Sequence, residues 1–538
     1  MKKNIIYSCL LVAATFALPS CSSFLEENPK DQMPEDEAYK SPELIYLNTV
    51  ANLYTQIGAT GGGEGLAGTD RGLYDIQTFT NDEALLPTRG GDWEDGKLWQ
   101  RLYLHTWDKS EAPFKSVWDY LYKVIGLSNQ SIDKLNSLME ADPENIYLPV
   151  YKAEVQAIRA LYYYQLLDCF GRVPLVEKSD VQISDVKQSE RSEVYNFVRK
   201  ELQEALPYLN TANSTKEGEY YGRMTRPVAF FLLAKLALNA QVYSDDDWTD
   251  NGGIPNGSTD FEMNGQKVLC WDAAIAYCDS ISNLGYQLSS TYSSNFSVGN
   301  EKSVENIFTI PMDPAKYSAQ FYYIIRTVHY AHGKAYSIDG WNGASASKEL
   351  LASFRKSKND PRLELCFFTG KVTGPDGAPI MDGDKELEYK PDAVAVDVSG
   401  IADEKTAGAR WKKYEIDPAS QSAGKLQSVD FVLYRYADVL LMKAEAKMRK
   451  GESGDNEINE VRGRVGADAL SKATLNDLLD ERARELSWEG VRRQDLVRFG
   501  KFCDAVDGRP ATQPYCTVFP IPHDVVLLNK NLSQNKGY

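Results

Sequence analysis

The chain is short of histidine, cysteine and basic charge. Its four histidines, His105, His329, His332 and His523, stand in 538 residues. None falls in a His-Glu-x-x-His pattern, and Gly-x-Ser-x-Gly and P-loop patterns are missing too, so the common zinc, serine and nucleotide chemistries leave no local signature. Lys and Arg number 59 against 76 Asp and Glu, a net charge of −17. Such a surface repels polyphosphate, which sets nucleic acid aside as a partner, and it does not suit a protein lying flat on anionic lipid. Nor does any apolar run reach the ~20 residues that cross a bilayer. Of eight cysteines, those at 169, 270, 278, 366, 503 and 516 lie beyond the first segment, with no Cys-x-x-Cys among them. They read as buried thiols, a disulfide being left open.

The first residues carry an address. Lys2 and Lys3, the apolar stretch Ile5 to Leu18, and small residues before Cys21 form an export signal of the lipoprotein kind. Residues 1–20 are expected to be removed, leaving Cys21 as first residue and lipid attachment point. The side-chain balance then becomes −19, since Lys2 and Lys3 depart with no acid. Residues 21–42 are rich in Glu, Asp, Pro and Ser, and are expected to form an extended leader. Two acyl chains on Cys21 supply the stable anchoring that one chain does not.

Helical periodicity dominates the body. It predicts helices over 114–139 and 148–168, split by Asp142-Pro143, then over 191–209 and 225–243 as a second pair. A helix over 271–284 ending at Gly285 is expected to partner a distant one over 435–450, closed by Gly451. Alanines at close-packing positions suggest a mostly α, tetratricopeptide-like scaffold of helical pairs, without that repeat's regular spacing. Most of the 32 tyrosines are then helix-packing residues. Two long stretches, 58–110 and 288–432, read as non-helical, and loops of that length usually carry function. The organisation is thus a scaffold over 43–287 with insertion 58–110, a loop-rich region 288–432, and a C-terminal helical region 433–538.

Several motifs stand in a fixed order. Phe24-Leu25 and Pro29 follow Cys21; Asn81-Asp82-Glu83 leads to Gly91-Asp92-Trp93; Phe170-Gly171-Arg172-Val173-Pro174-Leu175 follows the second helix. The C-terminal third carries Arg435-Tyr436-Ala437-Asp438, Glu481-Arg482, Glu485-Leu486, Glu489-Gly490-x-Arg492-Arg493-x-Asp495 and Phe519-Pro520-Ile521-Pro522. With these pieces in this order the chain resembles the SusD/RagB family of outer-membrane nutrient-binding lipoproteins. The resemblance implies a cell-surface, lipid-anchored protein of the outer membrane. It would capture an oligosaccharide and deliver it to a SusC-like TonB-dependent transporter, with no catalysis of its own. A peptide or other nutrient on the same scaffold is the alternative, and a glycoside hydrolase is a weaker one.

Sugar recognition needs flat aromatic surface and a few fixed polar groups. The resemblance draws these from the two loop stretches, where Trp93 and Trp99 are the expected platforms, with Asp70, Arg71, Tyr74 and Arg89 as polar partners. In the second stretch the candidates are Trp341, in Gly340-Trp341-Asn342-Gly343, with Asn342 and Tyr336. Trp107 and Trp118 are assigned to packing. A hydrolase would need a carboxylate pair, nominally Asp82 with Glu83 or Asp92 with Glu94. No cofactor is expected. Asp245-Asp246-Asp247 reads as a solvated acidic loop, with a structural calcium ion as the alternative. His329 and His332 are three apart, but their segment does not read as helical. The Glu and Arg residues of 477–488 are assigned to ion pairing, Glu481 with Arg484 and Arg482 with Glu485 among them.

Overall fold

The computed structural model describes residues 35–58, 63–316 and 322–538. The expected signal peptide, Cys21 and most of the leader lie outside these residues. The end of the leader is not extended, because Glu35–Ala38 forms one helical turn, as strong helix formers favour. A second helix, Pro42–Tyr46, starts on Ser41, whose hydroxyl accepts from Leu44 N at 3.3 Å. Residues up to Asn48 form one unit and Thr49–Tyr538 another.

Within the larger unit the scaffold helices are α1 (Ala112–Ala141), α2 (Tyr147–Phe170), α3 (Arg191–Ala205), α4 (Arg226–Leu238), α5 (Cys270–Asn283), α6 (Tyr436–Arg449), α7 (Leu475–Leu486) and α8 (Arg492–Arg498). Helix α1 packs along α2 through aromatic rungs. Tyr120 meets Tyr162 with ring centroids 5.6 Å apart and hydroxyls at 2.7 Å, and Trp118 meets Phe170 at 5.2 Å. Trp107 and Trp118 are both buried. The expected pairing of residues 191–209 with 225–243 does not form as such. Helix α3 packs chiefly on α2, whereas α4 packs on α5, and α5 on α6. The reason is visible in composition: α4 is apolar on every side and nearly all its residues are buried, so it needs neighbours all round rather than one partner.

The two long stretches are more regular than their composition indicates. The first contains helices Leu73–Thr78 and Leu98–Leu104; the second contains Tyr330–Ala335, Lys348–Lys356 and Arg362–Cys366. These helices are only five to nine residues long, below the length at which periodicity is legible. Strand β1 (Asn306–Ile310) pairs antiparallel with β2 (Phe431–Arg435), which runs into α6. Ala84–Leu85 pairs with Ser345–Ala346, joining one loop stretch to the other.

The C-terminal motifs form a buried charge lattice. Glu485 receives Arg362 at 2.9 Å, Arg435 at 2.6 Å, and Arg464. Glu481 takes Arg362, Arg462 and Arg484, at 2.7 to 2.8 Å. Arg482 does not pair with Glu485 as its spacing implies; it reaches Asp438 at 2.7 Å and Asp495 at 2.8 Å. Arg464, Arg435 and Arg362 hold the Glu485 carboxyl well below its usual range against the opposing effect of burial. The tail is pinned by Asn535, which donates to the carbonyls of Phe170 and Phe519, each at 2.9 Å.

Candidate binding cleft

The lattice reaches the loop stretches through Trp488. Its backbone N–H donates to Glu83 at 2.9 Å, while Arg492 grips Asp82 with two bonds of 2.7 Å. The Trp488 ring stacks on Trp411 at 4.4 Å, and its carbonyl accepts from the Tyr74 hydroxyl at 3.1 Å. Tyr74 stands in the helix Leu73–Thr78, whose next residue, Asp75, accepts from Arg71 N and from Arg326, both at 2.8 Å. Rigid core chemistry thereby sets the positions of Arg71 and Arg326.

Those two arginines border a surface cleft of about 560 Å³, lined also by Asp70, Asp92, Trp93, Asp95, Trp99, Tyr322, Tyr330 and Trp341. Trp99 is its floor, 3 % exposed. The Arg71 and Arg326 guanidiniums lie 5.8 and 5.7 Å from its ring, and its indole N–H donates to Asp95 at 2.6 Å. Trp93 meets the Trp99 ring at 6.2 Å and 65°, and its Nε1 donates to the Trp341 carbonyl at 2.9 Å. Trp341 meets Tyr322 at 5.1 Å. Trp93 and Trp341 are half-buried, so each leaves ring surface open. Tyr330, 39 % exposed, donates its hydroxyl to Asp92.

Gly343 makes this arrangement possible. A Cβ there would meet Trp93 at 2.6 Å and the Arg326 carbonyl at 2.8 Å, so the indole lies directly on the bare backbone. Arg71, Trp93, Asp95 and Asn342 all have φ between 39° and 63°. For such residues this left-handed backbone costs about 1–3 kcal/mol each, and surrounding contacts must hold it. Arg326, 3 % exposed, donates Nη1 to Asp75 and to the Thr69 carbonyl, while its Nε and Nη2 have no hydrogen-bond partner among the described residues. Burial raises the Asp75 carboxyl to about 7, with Arg326 opposing the rise.

Of the sequence candidates, Trp93, Trp99, Trp341, Asp70 and Arg71 come together here, and four do not line the cleft. Tyr74 is buried beneath Trp488. Arg89 is buried and spends its guanidinium on the Glu404 and Ala407 carbonyls and Ser345. Asn342 is buried, accepting from Arg410 at 2.9 Å. Tyr336 packs beside Val372 and Tyr389. Tyr74, Arg89 and Asn342 have the right chemistry for a ligand but are turned inward by their neighbours, and Tyr336, half-buried, stands against a different cluster. Tyr322, Arg326, Tyr330, Asp92 and Asp95 line the cleft without being ligand candidates in the sequence; the aromatic density of Tyr322-Tyr323 through Tyr330 is the signal that points to them.

The nominated acid pairs are otherwise engaged. Asp82 and Glu83 are tied to Arg492 and Trp488, Asp92 holds Tyr330, and Glu94 accepts from Gly96 N at 3.0 Å. Among the described residues no group of three His, Cys, Asp or Glu is placed to hold a metal. Asp246 accepts from Ser192, and Asp247 from Lys536 and Thr249. His329 caps the helix Tyr330–Ala335, which contains His332, so this segment is helical where the sequence suggested otherwise.

Residues 304–513 match the sequence model of the SusD family, and residues 23–238 match a model described as starch-binding associating with outer membrane. Neither description names an enzyme. The starch-binding protein SusD of Bacteroides thetaiotaomicron is 25 % identical, the alignment covering 100 % of this chain and 99 % of SusD. Among solved structures, a laminarin-binding SusD-like protein superposes with a TM-score of 0.68 at 21 % identity, covering 92 % of this chain and 99 % of the other. Surface glycan-binding protein A from Bacteroides thetaiotaomicron, in complex with laminarihexaose, gives 0.67 at 19 %, with the same coverage. The two family models together take in most of the chain, with the SusD alignment running end to end: this chain belongs to the SusD/RagB family.

Proposed function

We propose that the chain is a glycan-binding protein of the outer-membrane surface, capturing an oligosaccharide in the cleft between Trp93, Trp99 and Trp341 and releasing it unaltered. The observation that carries this reading is the convergence of three tryptophans and two tyrosines with Asp70, Arg71 and Asp92 on one open depression. Sugar rings present C–H faces to aromatic surface and hydroxyls to fixed polar groups, and binding through both needs no reacting residue. The ligands for which the relatives are named, starch and laminarin, supply the glucan class to try first. The family description supports the outer-membrane location. Cys21 carries the lipid in this reading, and a SusC-like TonB-dependent transporter receives the captured glycan.

Affinity electrophoresis of the chain from residue 22 onward against starch, laminarin and other glycans, with chromatography of the supernatants, tests the binding claim. Retardation by at least one glycan without released sugar is the expected result; released sugar or retardation by none contradicts it. The anchor and the transfer are tested separately, by metabolic palmitate labelling of wild type against Cys21→Ala and by co-purification of the transporter.

A further inference from the structure

A second cavity, of about 340 Å³, opens on the scaffold where the end of α6, the start of α7 and the end of α8 meet the start of α5. It shares no lining residue with the aromatic cleft. Trp271, buried, and Phe499, half-buried, form walls, and Ile254, 59 % exposed, stands at the mouth. The charged side chains that line it, Arg449, Arg498 and Lys501, are all cationic, in a chain whose net charge is −17.

The positive charge of Arg449 and Lys501 is under-compensated. Arg498 is compensated by the buried Glu445 carboxylate, through both oxygens at 2.7 and 2.8 Å, and by Asp495 at 2.7 Å, whereas Arg449 shares Glu445 through Nε alone, at 2.8 Å. The guanidinium of Arg449 lies 5.3 Å from the Trp271 ring and 5.0 Å from the Phe499 ring, so it is stacked in place, and among the described residues its terminal nitrogens meet no acceptor. Lys501 adds a charge on the same wall with no carboxylate lining the space opposite it. A cavity within the ~300–1,000 Å³ range of ligand sites, walled by two rings and fixed cations, is complementary to an anion with a ring-shaped body.

We infer that this cavity binds a small ring-bearing carboxylate, its ring against Trp271 and Phe499 and its carboxylate held by Arg449 and Lys501. The shared chemistry covers sugar acids and aryl carboxylates, and titration calorimetry of the whole chain with glucuronate and with 4-hydroxybenzoate separates the two. Methyl glucoside and 4-hydroxybenzamide serve as uncharged counterparts. One acid is expected to bind, at least about tenfold more tightly than its uncharged counterpart. Lys501→Gln and Lys501→Glu should weaken it in that order, with glycan retention unchanged, and Trp341→Ala should leave the acid's isotherm as it was. Binding of neither acid, equal binding of the uncharged counterpart, indifference to Lys501→Glu, or loss in Trp341→Ala would each overturn the assignment.

Discussion

The indole nitrogen of Trp93 donates at 2.9 Å to the backbone carbonyl of Trp341, 248 residues away. Two loop stretches that look independent in sequence are thereby joined at the rings that would carry the ligand. The bond uses the polar edge of one indole and no ring atom of the other, so both keep open ring surface.

Gly343→Ala tests that junction without touching an aromatic residue. The new methyl would press into the Trp93 ring and the Arg326 carbonyl, forcing the indole outward. Affinity for the captured glycan is expected to fall at least about tenfold, with a stability loss of about 1–3 kcal/mol. Calorimetry and denaturant melts of the same preparation separate the two effects.

Glu485 anchors three buried arginines, and its removal would withdraw a carboxylate all three share, leaving them only Asp360, Glu481, Glu305 and Glu489. Glu485→Ala should cost about 3–5 kcal/mol, read as a lower denaturation midpoint. A change within experimental error would show that the lattice is not what holds the C-terminal region.

Burial lifts the Glu83 carboxyl to about 8, outweighing the Trp488 N–H bond and the nearby Arg492 and Lys413. Those cations are already paired with Asp82 and Glu489. The folded state therefore keeps a proton that the unfolded chain has released above about pH 4.5. This contribution is fully present below that pH and is lost as pH rises through about 8. Denaturant melts at pH 5.5 and 8 should show wild type losing more stability than Glu83→Gln across the interval; equal losses would remove Glu83 as the cause.

Thiol labelling gives a further check. Cys169, Cys270, Cys278, Cys366 and Cys516 are buried, and burial pushes the Cys270 and Cys516 thiols up to about 12, while Cys503 is partly exposed. A brief pulse of iodoacetamide on the native chain should modify Cys503 before these five, which react after unfolding. Mass spectrometry of the peptides reads the order directly.

How far the sequence could be read follows from which signals are local. The long helices were legible because periodicity over twenty or more residues outweighs single exceptions, as in Ala112–Ala141. The partner of α4 was not, because a helix apolar on every side has no face that points to one neighbour. In the cleft, Trp93, Trp99 and Trp341 stood out as large rings beside glycines and acids in long loops. Tyr74 and Arg89 have equal chemistry, but burial under Trp488 and among the 404–407 carbonyls depends on residues hundreds of positions away. Arg326 was passed over for the converse reason. Its Nε and Nη2, buried and without a partner among the described residues, are a property of the assembled wall, not of the segment around it.

If Trp341 and Trp93 form the glycan platform, calorimetry of wild type, Trp341→Ala and Trp118→Ala with whichever glycan retards the chain will show it. Trp341→Ala should abolish measurable heat of binding, while Trp118→Ala, at a packing residue, should lower stability and keep the affinity of its folded fraction. Undiminished binding by Trp341→Ala would place the glycan elsewhere on the molecule and rule this platform out.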